Sequence, residues 1–274
     1  MKRLTKTTAL LVALLMLSVT LCFVACSPYS GHYTEVGADE LESKSEQLEA
    51  QVNTLVNGML YNDMMPNYKV KYSLSAKTDY PKKNFSTETK VEVTQYGYEG
   101  LKQSKIKYHG INIVNETEFT ILGVDPVLEE RNFTVTFWYG EELEHIYYEL
   151  IIDGKKEQGI MPYDYGKEEL KIASHYDIAY QRYIKYDTES AISTDYKLYL
   201  DGENKVKIDS LYDDGTEKHT YLIYLIFNDD DTVHFKTEQE HTQSVRGSIG
   251  WDYSASSTLE ITPSKKKVTV PNFD

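Results

Sequence analysis

Residues 38–274 predict an α+β domain in which an antiparallel β-sheet packs on an amino-terminal and a middle α-helix. Three observations carry this. Runs of alternating apolar and polar residues recur along the chain, tight segments rich in Asp, Asn and Gly separate them, and two stretches carry apolar residues at helical spacing instead. No internal repeat, low-complexity tract or proline-rich linker divides the region, so one domain is expected.

Asp39 is placed as a helix N-cap, with Glu42 three residues on in a capping-box-like arrangement that satisfies free backbone N–H groups. Leu41, Leu48, Val52, Leu55, Val56, Met59 and Leu60 follow at helical spacing, with Glu42, Lys44, Glu46, Glu49 and Asn53 largely opposite. The pattern predicts an amphipathic helix of about six turns, ended near Pro66. From Tyr68 the period becomes two: Tyr68, Val70, Tyr72, Leu74 and Ala76 face one way, and Lys69, Lys71, Ser73, Ser75 and Lys77 the other. A strand buried on one face is the direct reading. Similar runs occupy residues 87–93, 105–113, 118–122, 133–139 and 145–152. The last two form a hairpin, and Asp153-Gly154 closes the series with a turn.

Between Tyr165 and Thr188 the helical period returns, with Leu170, Ala173, Tyr176, Tyr180, Tyr183 and Ile184 along one stripe. Strand signals resume at residues 196–200, 205–211, 218–227, 232–238, 248–253, 257–262 and 267–270. The connections Asp201-Gly202, Asp213-Asp214-Gly215 and Asn228-Asp229-Asp230-Asp231 are acidic and tight, as antiparallel hairpins require. Residues 221–227 are apolar on both faces and are expected to form the central strand, covered on one side by a helix.

The amino terminus reads differently. Lys2, Arg3 and Lys6 precede an apolar run over residues 9–19, the n-region and h-region pattern of a secretory signal peptide. The run closes with Phe23-Val24-Ala25-Cys26-Ser27, which resembles a bacterial lipobox, with Phe23 where Leu is usual. The resemblance implies cleavage before Cys26 and lipidation of its thiol, with acyl chains holding the chain on the membrane in place of a spanning helix. Three parts are therefore expected: a signal peptide at 1–25, the lipidated Cys26 with a flexible tether to residue 37, and the domain from 38. The expected location is the extracytoplasmic face of the cell membrane, or the outer membrane where the host has one. Cys22 leaves with the signal and Cys26 is acylated, so neither of the two cysteines remains for a disulfide or a thiolate metal site.

The order of signal peptide, lipobox, amphipathic helix, strand block, middle helix and second strand block resembles the LolA/LolB-like lipoprotein-carrier superfamily. It spans residues 38–270 and is a likeness of organisation, so no binding position transfers one for one. It implies a strongly curved antiparallel sheet, an open half-barrel, whose concave side is plugged by the helices around an apolar cavity. The function implied is a noncatalytic binding module for a hydrophobic or amphipathic ligand such as lipid or an acyl-bearing protein. The alternative is an envelope protein–protein interaction or sensor domain with a solid core.

Charge narrows the partners. Acids outnumber bases 43 to 29 for a net −14, and the first 25 residues hold three of the bases and no acid, leaving the remainder with 26 bases against 43 acids, or −17. Such a domain repels nucleic acid, so none is expected as a partner. The 24 tyrosines suit half-buried sheet surfaces and binding faces alike.

No enzyme motif emerges. Gly247-Ser248-Ile249-Gly250 is one residue short of a nucleophile elbow and lies in a strand-like run. The seven histidines, His32, His109, His145, His175, His219, His234 and His241, include no pair at i, i+2 or i, i+4. His234 and His241, an odd number apart, point to opposite faces of one strand, so no metal site and no cofactor are expected. Asn228-Asp229-Asp230-Asp231 lacks the ligand spacing of a calcium loop and reads as a turn. Acids are too numerous for a glycosidase pair to be picked out, and the sequons at Asn84, Asn115 and Asn132 are ascribed to chance.

The sequence alone supports one test. Cys26→Ser should abolish metabolic labelling with palmitate and release the protein from the membrane fraction, whereas labelling that persists in the variant contradicts lipidation at Cys26.

Overall fold

Twelve strands form a single antiparallel sheet in a computed structural model that describes residues 27–52, 67–81, 84–114, 127–140, 143–162, 194–243 and 250–272. The signal peptide, Cys26, the expected helix beyond Val52, the run at 118–122, the middle helix at 165–188 and Ser248-Ile249 lie outside these residues. The described elements are β1 (Thr34–Glu35), α1 (Leu41–Val52), β2 (Tyr68–Tyr80), β3 (Phe85–Tyr98), β4 (Leu101–Val114), β5 (Val127–Gly140), β6 (His145–Ile152), β7 (Lys155–Pro162), β8 (Thr194–Asp201), β9 (Lys205–Asp213), β10 (Glu217–Phe227), β11 (Val233–Gln243) and β12 (Trp251–Pro263). Their order across the sheet is β1-β8-β9-β10-β11-β12-β2-β3-β4-β5-β6-β7, with β1 and β7 as its edges, so it is not closed into a barrel.

The register aligns one face. Following Cα partners across the strands gives Leu200, Val206, Leu225, Phe235, Leu259, Tyr72, Val93, Ile106, Val135 and Leu150 as a single lateral row. All ten belong to one hydrophobic cluster or pack against it, and Leu225 and Phe235 are wholly buried. A slip of one residue in any strand would turn its apolar set to water. The row crosses from the carboxy-terminal strands to the amino-terminal ones at β12–β2, paired from Asp252↔Asp79 to Pro263↔Tyr68.

The alternation at Tyr68–Ala76 is as the period predicts, with Tyr68, Val70 and Tyr72 buried and Lys71, Ser73, Ser75 and Lys77 exposed. The hairpin of β5 and β6 is also as expected. Tyrosine does further work where glycine leaves a gap: a Cβ on Gly97 would lie 2.5 Å from the ring of Tyr68, its register partner, so the bare backbone makes room for that buried ring. Inside the cluster, the Gln95 amide donates to Tyr68 Oη at 3.3 Å and Tyr139 Oη at 3.0 Å, satisfying a buried polar side chain.

Several expectations need correction. The first i→i−4 bond of α1 runs from Lys44 N–H to the Glu40 carbonyl, so the cap position falls on Glu40 and not on Asp39. Asp153-Gly154 does not close a strand series: both residues have positive φ, 49° and 76°, and form the two-residue hairpin turn into β7, a polar edge strand without an alternating apolar signal. The separate runs at 248–253 and 257–262 are joined through Ser254, Ala255 and Ser256 in β12, where small residues blur the alternation. Residues 267–270 form no strand, although Val268 is buried. β10 is interior but fourth from one edge, and its second face meets the amino-terminal segment through Tyr224.

Phe235→Ala removes a wholly buried ring from the lateral row and should destabilise the protein by about 3–5 kcal/mol in urea titrations, while Lys90→Ala on the exposed face should change it by less than about 0.5 kcal/mol. Equal effects would contradict the assignment of faces.

Candidate functional site

Cys26 lies just outside the described residues, and the chain after it is not a free tether. Ser30 N–H donates to the Ser27 carbonyl at 3.0 Å, and the Tyr29 hydroxyl donates to the Phe235 carbonyl at 3.3 Å. The Tyr29 ring meets Tyr224 at 5.8 Å and the His234 imidazole at 6.5 Å, with Lys236 Nζ 5.9 Å from the Tyr29 and Tyr224 ring centres. Lys205 Nζ donates to the Ser30 carbonyl at 2.9 Å, Tyr33 Oη to the Tyr29 carbonyl at 3.2 Å, and Val36 N–H to the Leu198 carbonyl at 2.8 Å. Thr34 and Glu35 then pair with Leu200 and Tyr199. Aromatic bodies with polar tips hold this strap, each ring pair contributing about 0.5–1.5 kcal/mol beyond its buried area. No apolar alternation marks it, which is why the sequence reads as a linker.

Beside the strap lies a groove of about 610 Å³. Pro28, Tyr29 and His234 form one wall, and the outward residues of β12, β2 and β3 form the rest, with Tyr72, Val93 and Leu259 below. Its rim is ionic and hydroxylic. Lys71 Nζ pairs with Glu260 at 3.1 Å, Glu92 with Lys107 at 3.1 Å, and the Ser73 and Thr258 hydroxyls meet at 2.7 Å. Burial, assisted by the Glu260 charge, pushes the Tyr29 hydroxyl up to about 12, so it stays neutral and able to donate across the physiological range. The arrangement can take an amphiphile, with its apolar part against the aromatic wall and its polar part along the rim.

A second cluster lies on the other face of β10 and β11. The register sets His219 opposite His241, and their rings stack at 3.5 Å. Tyr212, Tyr221 and Trp251 surround them. Among the described residues, Glu217, His219 and His241 bring one potential metal-ligand atom each within 4.8 Å of one another. Spacing along one strand could not show this pair. It follows from the hairpin closed at residues 228–232, in which Phe227 pairs with Val233 and the ladder continues outward to Glu217 and Gln243. His234 faces the groove and His241 the opposite side, as their odd spacing requires.

The expected turns are in place. Asp230 Oδ1 accepts from Thr232 N–H at 3.1 Å, so the acidic loop spends a carboxylate on its own backbone. Asp213-Asp214-Gly215 turns β9 into β10, where Asp214 Oδ1 accepts from the backbone N–H of Glu217 at 2.7 Å and of Thr216 at 2.8 Å. Gly247-Ser248-Ile249 lies outside the described residues, and Gly250 precedes β12. Among the described residues no helix is long and apolar enough to cross a membrane. Compared with known protein families and with curated proteins, the chain has no match in either.

Asp214 clamps the turn that delivers Glu217 and His219, and the donated N–H groups of Glu217 and Thr216 hold its carboxyl well below the usual carboxylate range. A depressed folded-state pKa stabilises above the unfolded value of about 4 and loses that contribution as pH falls toward the folded one. Asp214→Ala should therefore melt at lower temperature than the parent at neutral pH, with the gap narrowing in thermal scans below about pH 4. A gap independent of pH would contradict the clamp.

Proposed function

We propose that this chain is a lipoprotein anchored through Cys26 to the extracytoplasmic face of a bacterial membrane, and that it is a noncatalytic binding module for a hydrophobic or amphipathic ligand. The observation that carries this reading is the position of the groove, whose wall begins at Pro28 and Tyr29, two and three residues from Cys26. Because the strap is bonded to β8 and β11 and is not loose, acylation of Cys26 holds the groove against the bilayer surface, where amphiphiles are concentrated. The finer architecture belongs to the same proposal: the sheet curves strongly into an open half-barrel, and a helix within residues 165–188 joins α1 on its concave side.

A second reading is favoured by the opposite edge. Among the described residues Ile152 and Ile160 are 45% and 51% exposed, on opposite faces of β6 and β7, and one ladder edge of β7 has no strand beside it. An edge open on one side, with an exposed isoleucine on each face beside it, suits an envelope protein that adds a strand there.

Native mass spectrometry of the Cys26→Ser protein separates the two, since every lipid adduct is then noncovalent. The binding module should carry a copurified or exchangeable amphiphile that Tyr29→Ala weakens. Absence of any adduct, with vesicle lipids offered in excess, would sink the ligand-binding reading and leave the interaction module.

A further inference from the structure

At the Glu217 cluster each of the three potential ligands keeps one ligand atom that is not held by an outer neighbour, and these atoms lie within 4.8 Å of one another. Glu217 Oε1 accepts a 2.6 Å hydrogen bond from the Gln243 amide, whose own oxygen accepts from Trp251 Nε1. That leaves Glu217 Oε2, which lies 3.4 Å from His219 Nε2. His219 Nδ1 lies 3.3 Å from the Tyr221 hydroxyl, which can accept from Nδ1–H once an ion takes the Nε2 lone pair and displaces the Nε2–Glu217 contact. His241 Nε2 is buried and, among the described residues, has no hydrogen-bond partner. A buried imidazole nitrogen without a partner is costly in a finished core.

We propose that Glu217, His219 and His241 form a binding site for a divalent transition ion of the zinc class, a His₂Glu set with a fourth position open to water or a ligand group. The chemistry of the donors selects the ion. Two imidazoles and one carboxylate suit zinc and its neighbours, whereas calcium and magnesium take oxygen alone. One spacing already fits, and all three ligand atoms lie within 4.8 Å of one another. Zn–N and Zn–O bonds of about 2.0–2.2 Å in a tetrahedron put neighbouring ligand atoms roughly 3.3–3.6 Å apart, a range that includes the 3.4 Å between Glu217 Oε2 and His219 Nε2. The imidazoles stack with planes 27° apart, so binding requires them to swing from stacking to converging on the ion. Gln243, backed by Trp251, and Tyr221 are outer partners of the kind that metal-binding carboxylates and histidines ordinarily have, holding Glu217 and His219. The site is accessible, with the His219 and Glu217 side chains 20% and 36% exposed. It lies on the opposite face of the sheet from the Tyr29 groove and does not depend on that reading.

The test is zinc titration of the whole protein with excess magnesium present to occupy ordinary surface carboxylates, read by calorimetry and by histidine NMR signals. One ion per chain is expected, shifting the His219 and His241 resonances and leaving His109 and His234 in place. His241→Ala and Glu217→Gln should each weaken binding by at least about tenfold, and Gln243→Ala by about tenfold through its hold on Glu217. Circular dichroism shows which variants are folded, and the NMR shifts in unmodified protein stand whether or not they are. Binding that leaves the two histidine signals unmoved, is unaffected in folded His241→Ala protein, or falls well short of one ion per chain would overturn the site.

Discussion

The structure depends on one lateral row of apolar side chains. From Leu200 on β8 to Leu150 on β6, ten strands each contribute one residue to a line that runs across the strands, along the hydrogen-bonding direction. Full burial of each such side chain is worth roughly 1.5–3 kcal/mol relative to exposure. Because the side-chain period is two, a slip of one residue in any strand breaks the row. With no disulfide expected to staple the domain, this agreement between register and burial supplies the specificity of the fold.

The same register places both candidate sites. On the core face it brings His219 of β10 beside His241 of β11, and on the outward face it sets Lys71, Ser73, Thr258 and Glu260 along the groove. The outward face would be an ordinary solvated surface but for the strap, whose Tyr29 adds an aromatic wall. If Cys26 carries lipid, that wall is also the point of attachment, and anchoring and binding share a few residues.

Much of this was legible in the sequence, for physical reasons that differ by element. Strands that bury one face announce themselves by alternation, so β2 and β6 could be read directly, and Asp/Asn/Gly turns marked the hairpins. β7 could not be read that way, since an exposed edge strand needs no apolar alternation, and the Asp153-Gly154 turn was the only sign of it. The strap was missed because tyrosine rings and main-chain hydrogen bonds, which leave no period, hold it down. The His219–His241 pair is invisible to spacing along one strand, yet the tight loop at 228–232 contains it: once Phe227 faces Val233, each step outward fixes the next pair.

The crossing from β12 to β2 is where the two halves of the row meet, and it can be probed by thiols. In protein carrying Cys22→Ser and Cys26→Ser, so that introduced thiols are the only ones, Ser73→Cys with Thr258→Cys replaces two hydroxyls 2.7 Å apart on register partners. Mild oxidation should join this pair within one chain and leave Ser75→Cys with Thr258→Cys, displaced by two residues, largely reduced. A Ser73–Thr258 pair that stays reduced, or a displaced pair that closes as readily, would contradict the register on which the row, the groove and the histidine pair all rest.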